Sequence, residues 1–142
     1  MKKHTILLIE DDELDVISVQ RSLKKLNIPY ELHTAYNGKE ALEMLTDDKV
    51  SLIPDVILLD LNMPKMNGIE FLASLRTNER FKNINVFIMT TSSENNDRVS
   101  AEKMGVSGYI IKPLNYGNSK KTDSMDAFVQ FHLRKILTDM SN

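Results

Sequence analysis

Four short, unbroken apolar runs frame this 142-residue chain: Ile6-Leu7-Leu8-Ile9, Val56-Ile57-Leu58-Leu59, Val86-Phe87-Ile88-Met89 and Tyr109-Ile110-Ile111. None alternates with polar residues, so each reads as a strand covered on both faces, as in a parallel sheet. A fifth segment, Tyr30 to Ala35, does alternate and reads as a half-exposed edge strand. Helical patterns lie between the runs. Glu13 to Leu26 carries Leu14, Ile17 and other apolar residues at helical spacing. Asn37-Gly38 opens a short helix with Ala41, Leu42 and Leu45. Asn67, with Glu70 three residues on, can cap a helix bearing Ile69, Phe71, Leu72 and Leu75. A less apolar helix from about Ser93 to Met104, with Val99 and Ala101, is stopped by Gly105. A last helix from Asp123 or Ser124 turns Met125, Phe128, Val129, Leu133 and Leu137 inward.

Strand and helix thus alternate five times, and right-handed crossovers then require a parallel sheet with helices on both sides. The expected fold is α/β, a doubly wound five-stranded sheet of flavodoxin-like (βα)5 type with strand order 2-1-3-4-5. One domain, residues 1–142 with a core over about 4–138, is expected. The polar stretch 115–122 reads as a long loop before the last helix.

Composition narrows the function. Lys plus Arg (18) nearly balance Asp plus Glu (20), for a net charge of −2, so a broad nucleic-acid or anionic-membrane surface is not expected. Zero Cys removes disulfides, thiolate metal sites and cysteine nucleophiles, and fits a reducing cytoplasm. Acidic residues end the first apolar run at Ile9, short of the roughly 7–15 apolar residues of a signal peptide. No run approaches the ~18 apolar residues of a membrane span.

In such sheets the ligand lies beyond the carboxyl ends of the strands. The first strand ends in Glu10-Asp11-Asp12, the third in Asp60-Leu61-Asn62, the fourth in Thr90-Thr91-Ser92 and the fifth in Lys112-Pro113. The first and third strands are neighbours in the expected order, so Asp11 and Asp60 should be close. Packed carboxylates raise each other's pKa, and a hard divalent cation such as Mg²⁺ resolves the conflict with oxygen ligands. The backbone carbonyl of Asn62 can be a further ligand. Asp60 can then act as a nucleophile and form an acyl phosphate. The cation and Lys112 would offset charge on the phosphoryl oxygens, and Thr90 can hydrogen-bond one of them.

These residues also carry a resemblance. Glu10-Asp11 after Ile-Leu-Leu-Ile is similar to the acidic pair of response-regulator receiver domains. The segment from Pro54 through Asp60 to Met63-Pro64-Lys65-Met66-Asn67-Gly68 resembles the one holding their phosphoacceptor. Asn37-Gly38-Lys39-Glu40-Ala41-Leu42 and Gly105 to Pro113 match two more family segments. The resemblance implies that Asp60 is the phosphorylated residue. It makes Glu10 and Asp11 the acidic pocket, with Asp11 a direct ligand of Mg²⁺ (or Mn²⁺) and Glu10 acting through water. It makes Thr90 and Tyr109 the switch pair and Lys112 the pocket lysine, followed in the family by a usually cis bond to a proline such as Pro113. The variant Glu10-Asp11-Asp12-x-x-Asp15-Val16 resembles small regulators paired with phytochrome-type kinases. The implied function is a stand-alone two-component switch in the cytoplasm, with no catalysis beyond its own phosphorylation and dephosphorylation. Its donor would be a sensor histidine kinase or histidine phosphotransfer protein. The chain closes soon after the last helix, so output is expected through a downstream protein or a homodimer formed by the fourth helix, fifth strand and fifth helix.

Each feature has a plainer reading. An acidic triplet is ordinarily a solvated helix N-terminus complementing the dipole; its place at the end of a buried strand, matched by Asp60, reverses the odds. A strand-end Thr, a single Lys or a core Tyr would be unremarkable alone. His4, His33 and His132 have no partner at metal spacing and read as ordinary, and most of the eight Met as packing. An aspartyl-nucleophile phosphatase would need a second acid where Asn62 stands. A flavodoxin needs a phosphate loop where this chain has acids. The remaining alternative is a receiver-like interaction module that is never phosphorylated.

Overall fold

The computed structural model describes residues 3–49, 52–61, 67–90, 95–112 and 124–140, with the backbone alone described at 95–98 and 124. Five strands form one sheet: β1 (His4–Ile9), β2 (Tyr30–Ala35), β3 (Val56–Asp60), β4 (Asn85–Thr90) and β5 (Gly108–Ile111). All pairs are parallel, in the order β2-β1-β3-β4-β5. The crossovers carry α1 (Glu13–Leu23), α2 (Gly38–Thr46), α3 (Gly68–Arg76) and α4 (Asn95–Lys103). The last helix, α5 (124–140), is α-helical over Ser124–Ala127, π-helical over Phe128–Leu133 and α-helical again over Arg134–Met140. Among the described residues no helix is long and apolar enough to cross a membrane.

Successive strand residues feed two cores. Ile6, Leu8, Val56, Leu58, Phe87 and Met89 pack under α1 and α5, against Val16, Val19, Leu23, Phe128, Val129 and Leu133. Leu7, Ile9, Ile57, Leu59, Val86 and Ile88 pack on the other face against Ala41, Leu45, Phe71, Leu72, Leu75 and Ala101. Two covered faces are why β1, β3 and β4 read as continuous apolar runs. Phe87 meets Phe128 edge to face at 4.6 Å between ring centroids. The two outer strands differ: β2 is half-exposed, as its alternation predicts, while β5 is only partly covered and leaves Ile111 exposed. The run at 109–111 is therefore not covered on both faces, because β5 is itself a sheet edge.

Local signals set the helix ends. Asn37 accepts from Glu40 N–H to cap α2. Asn67 and Glu70 form a reciprocal capping box on α3. Gly105, at φ +76°, stops α4 in the left-handed region. In α1 the inward stripe is Asp15, Val16, Ser18, Val19, Ser22 and Leu23. Leu14 (63% exposed) and Ile17 (47%) face out, so the apolar periodicity of this helix runs one position off the expected face. Val99 of α4 is likewise exposed, while Ala101 is buried. The inner face expected of the last helix is buried as read. Its π-helical stretch, in which the Arg134 N–H bonds Val129 O, was not expected. Ser93 and the 115–122 loop lie outside the described residues.

Candidate functional site

β1 and β3 run side by side with Ile9 opposite Leu59, so the next residues, Glu10 and Asp60, meet at the carboxyl rim. Glu10 is fastened by its N–H to Ala35 O at 3.0 Å. Both acids are buried and Asp11 beside them is exposed. One carboxylate oxygen from each of Glu10, Asp11 and Asp60 falls within 4.8 Å of the others, a group of hard oxygen donors that could hold a divalent ion. Asp12 does not join them. Its carboxylate caps α1, accepting from Leu14 N–H at 2.9 Å and Asp15 N–H at 3.3 Å. The plainer reading, a helix cap, thus holds for the third acid of the triplet.

Lys112 follows the end of β5 and its N–H donates to Thr90 O at 2.8 Å, joining the ends of β4 and β5. Its Nζ stands 2.9 Å from Glu10 Oε1, 2.9 Å from Asp15 Oδ2 and 3.4 Å from Asp60 Oδ1. Burial opposes its charge, but the bond to Asp15 and the charges of Asp60 and Glu10 prevail and hold the ammonium above its ordinary value. Glu10 moves the other way. Burial, then a hydrogen bond with Asp60 and the Asp60 charge, push its carboxyl up to about 9, against the pull of Lys112. The pocket therefore holds more acid than one lysine can neutralise.

Thr90, the last residue of β4, is fully buried. Tyr109 is half-buried and pairs with Ile88, so it lies on the sheet face of Ile88 and Thr90, one pleat back from the rim. Two residues were not singled out for the site. In sequence Asp15 stands out only within the Glu10-Asp11-Asp12-x-x-Asp15-Val16 pattern, with no role in the pocket attached to it. Gly68 reads as a helix start and as the end of the segment resembling the phosphoacceptor region, with no contact to Asp60 implied, yet a Cβ there would sit 2.7 Å from Asp60 O and 2.7 Å from Leu61 Cα. Asn62, Thr91, Ser92 and Pro113 lie outside the described residues.

The profile of the response regulator receiver domain matches residues 6–122. The chain belongs to that family. Receiver domains are the phosphorylation-activated switches of two-component signalling, and this chain is one of them. The response regulator Rcp1 of Synechocystis sp. is 37% identical over 113 residues, covering 78% of this chain and 77% of Rcp1. The crystal structure of the Mn²⁺-bound form of Rcp1 superposes on this receiver domain with a TM-score of 0.75 at 34% identity, covering 89% of each chain. That of the phosphorylated cyanobacterial phytochrome response regulator RcpA gives 0.76 at 29% identity, covering 98% of this chain and 94% of the other. The flavodoxin-like architecture is shared with both.

Proposed function

We propose that this receiver domain is switched by transfer of a phosphoryl group from a phosphohistidine to Asp60. Mg²⁺ would be held by Asp11, Asp60 and the Asn62 backbone carbonyl, with Glu10 reaching it through water. The observation that carries the reading is the convergence of Glu10, Asp11 and Asp60 on one rim with Lys112 beside them. When bound, the cation supplies the positive charge that lets an anionic phosphoryl group approach a ring of carboxylates. The rest falls to the chain itself. Asp60 attacks phosphorus in line; the new O–P bond forms as the P–N bond breaks, and the imidazole leaves with the electron pair and takes a proton from solvent. The Lys112 ammonium turns from Asp60 to a phosphoryl oxygen, and the Thr90 hydroxyl donates to another. Drawing Thr90 toward the phosphoryl group frees space on its sheet face, into which Tyr109 moves. The α4–β5–α5 surface then changes its affinity for a downstream protein or a second copy of the chain.

The donor is a sensor histidine kinase or histidine phosphotransfer protein in the cytoplasm, and a phytochrome-type kinase fits the resemblance to RcpA. Exposed Leu14 and Ile17 on α1, with Tyr36 just past β2, give it an apolar seat beside the acids. No catalysis beyond the domain's own phosphorylation and dephosphorylation is assigned.

The test is intact mass after incubation with acetyl phosphate or phosphoramidate, with and without Mg²⁺. A labile gain of one phosphoryl group that needs Mg²⁺ and disappears in Asp60→Asn is expected. No gain from either donor would leave a phosphorylation-independent interaction module as the better reading.

A further inference from the structure

Lys112 and a divalent cation would draw on the same pair of carboxylates, Glu10 and Asp60. An ammonium has three N–H donors, and three carboxylates stand around this one: Glu10 and Asp15 at 2.9 Å and Asp60 at 3.4 Å. Glu10 and Asp60 belong to the cluster that could hold the metal; Asp15 does not. Lys112 contacts two of the three carboxylates of that cluster, and the two positive charges repel across a buried pocket. A lysine with only Glu10 and Asp60 to pair with would sit in the middle of the metal site.

Asp15 offers a place to one side. It lies in the first turn of α1, its side chain almost wholly buried at 4% exposure. Its backbone is pinned by the bond from its N–H to the Asp12 cap. Among the described residues it is the one acid paired with Lys112 that lies outside the metal cluster. We propose that Asp15 is a positioning residue that draws the Lys112 ammonium off Glu10 and Asp60, keeping those carboxylates open to Mg²⁺ while leaving the lysine within reach of a phosphoryl group on Asp60. This rests on the metal-dependent reading above. It differs from a purely structural role, in which Asp15 neutralises a buried lysine and affects stability alone. It also differs from a simple charge effect, in which any lost anion near the site weakens a cation by the same factor whether or not Lys112 is present.

A double-mutant cycle separates the three. Mg²⁺ alone is titrated calorimetrically into the unphosphorylated 142-residue chain as wild type, Asp15→Asn, Lys112→Met and the double variant. Asp15→Asn is expected to weaken Mg²⁺ by about tenfold, because Lys112 then falls back onto Glu10 and Asp60. In the Lys112→Met background the same replacement should change affinity by less than about twofold, since no competitor remains to be held aside. Equal weakening in both backgrounds, or none in either, overturns the proposal. Wild type that binds no Mg²⁺ would instead remove the metal-dependent reading beneath it. If Asp15→Asn does not fold, a crystal structure of the Mg²⁺-loaded wild type decides. Lys112 Nζ should remain hydrogen-bonded to Asp15 and have left Glu10 and Asp60, and a lysine still on those two with Asp15 turned away would overturn it.

Discussion

Single residues set the pocket's tolerances. Gly68 lets the start of α3 lie against the Asp60–Leu61 peptide, where its N–H bonds Leu61 O at 3.0 Å. Gly68→Ala would drive a methyl into that backbone. It should cost about 1–3 kcal/mol in urea unfolding and slow phosphorylation by acetyl phosphate, because the segment that moves carries the nucleophile. Glu10 makes the metal-free fold sensitive to pH. Its carboxyl lies near 4.5 when unfolded and about 9 when folded, so between those values the folded state keeps a proton the unfolded state has lost. Stability should therefore fall as pH rises through that window. Thermal unfolding in a chelator is expected to give a higher midpoint at pH 5.5 than at pH 8.5, and Glu10→Gln should flatten the difference. Most of this pocket was legible because Glu10, Asp11, Asp60, Thr90 and Lys112 stand at the ends of recognisable strands. The role of Asp15 was not, since its place in the Glu10-Asp11-Asp12-x-x-Asp15-Val16 pattern does not say that its side chain reaches Lys112, and an acid in a first helical turn already complements the helix dipole. Gly68 was not, since a missing Cβ shows its purpose only once its neighbour is placed.

At the scale of elements, one side chain of α3 ties down the chain just past the end of α4. Arg76 donates Nε to Met104 O at 2.8 Å and Nη2 to Gly105 O at 2.9 Å, just past the end of α4. Its Nη1 meets Lys82 O and Ile84 O at 2.9 and 3.0 Å, ahead of β4. The planar fork spans four carbonyls, which one ammonium cannot do. Arg76→Lys should destabilise the fold by about 2 kcal/mol, and amide exchange should accelerate in α4 ahead of the other helices. The helices themselves were legible through Asn37, Asn67, Glu70 and Gly105, residues whose local chemistry marks an end wherever it occurs. The rotation of α1 was not. Leu14 and Ile17 satisfy a helical period as well as Val16 and Val19 do, and only the sheet beneath chooses between them. The π-helical stretch of α5 left no signal either, because Phe128, Val129 and Leu133 reach the core through a wider turn as readily as through an ordinary one.

In the whole molecule, five strands in the order β2-β1-β3-β4-β5 bring together residues as distant as Glu10 and Lys112. That order was legible because the polar strand had to lie at an edge and the crossovers had to be right-handed. The exposure of β5 was missed because three apolar residues in a row do not say which of them has a neighbour. The order also places the two halves of the pocket unequally. Glu10 and Asp60 extend from β1 and β3, each flanked by strands on both sides, whereas Lys112 extends from β5, which has one neighbour. Amides of β1 and β3 should then exchange with solvent only on global unfolding, and those of β5 through smaller openings, as hydrogen–deuterium exchange would register residue by residue. The anionic wall of the pocket thus extends from the interior of the sheet and the cationic wall from its edge. A change of charge at Asp60 is then expected to displace the β5 side of the pocket before the β1 side.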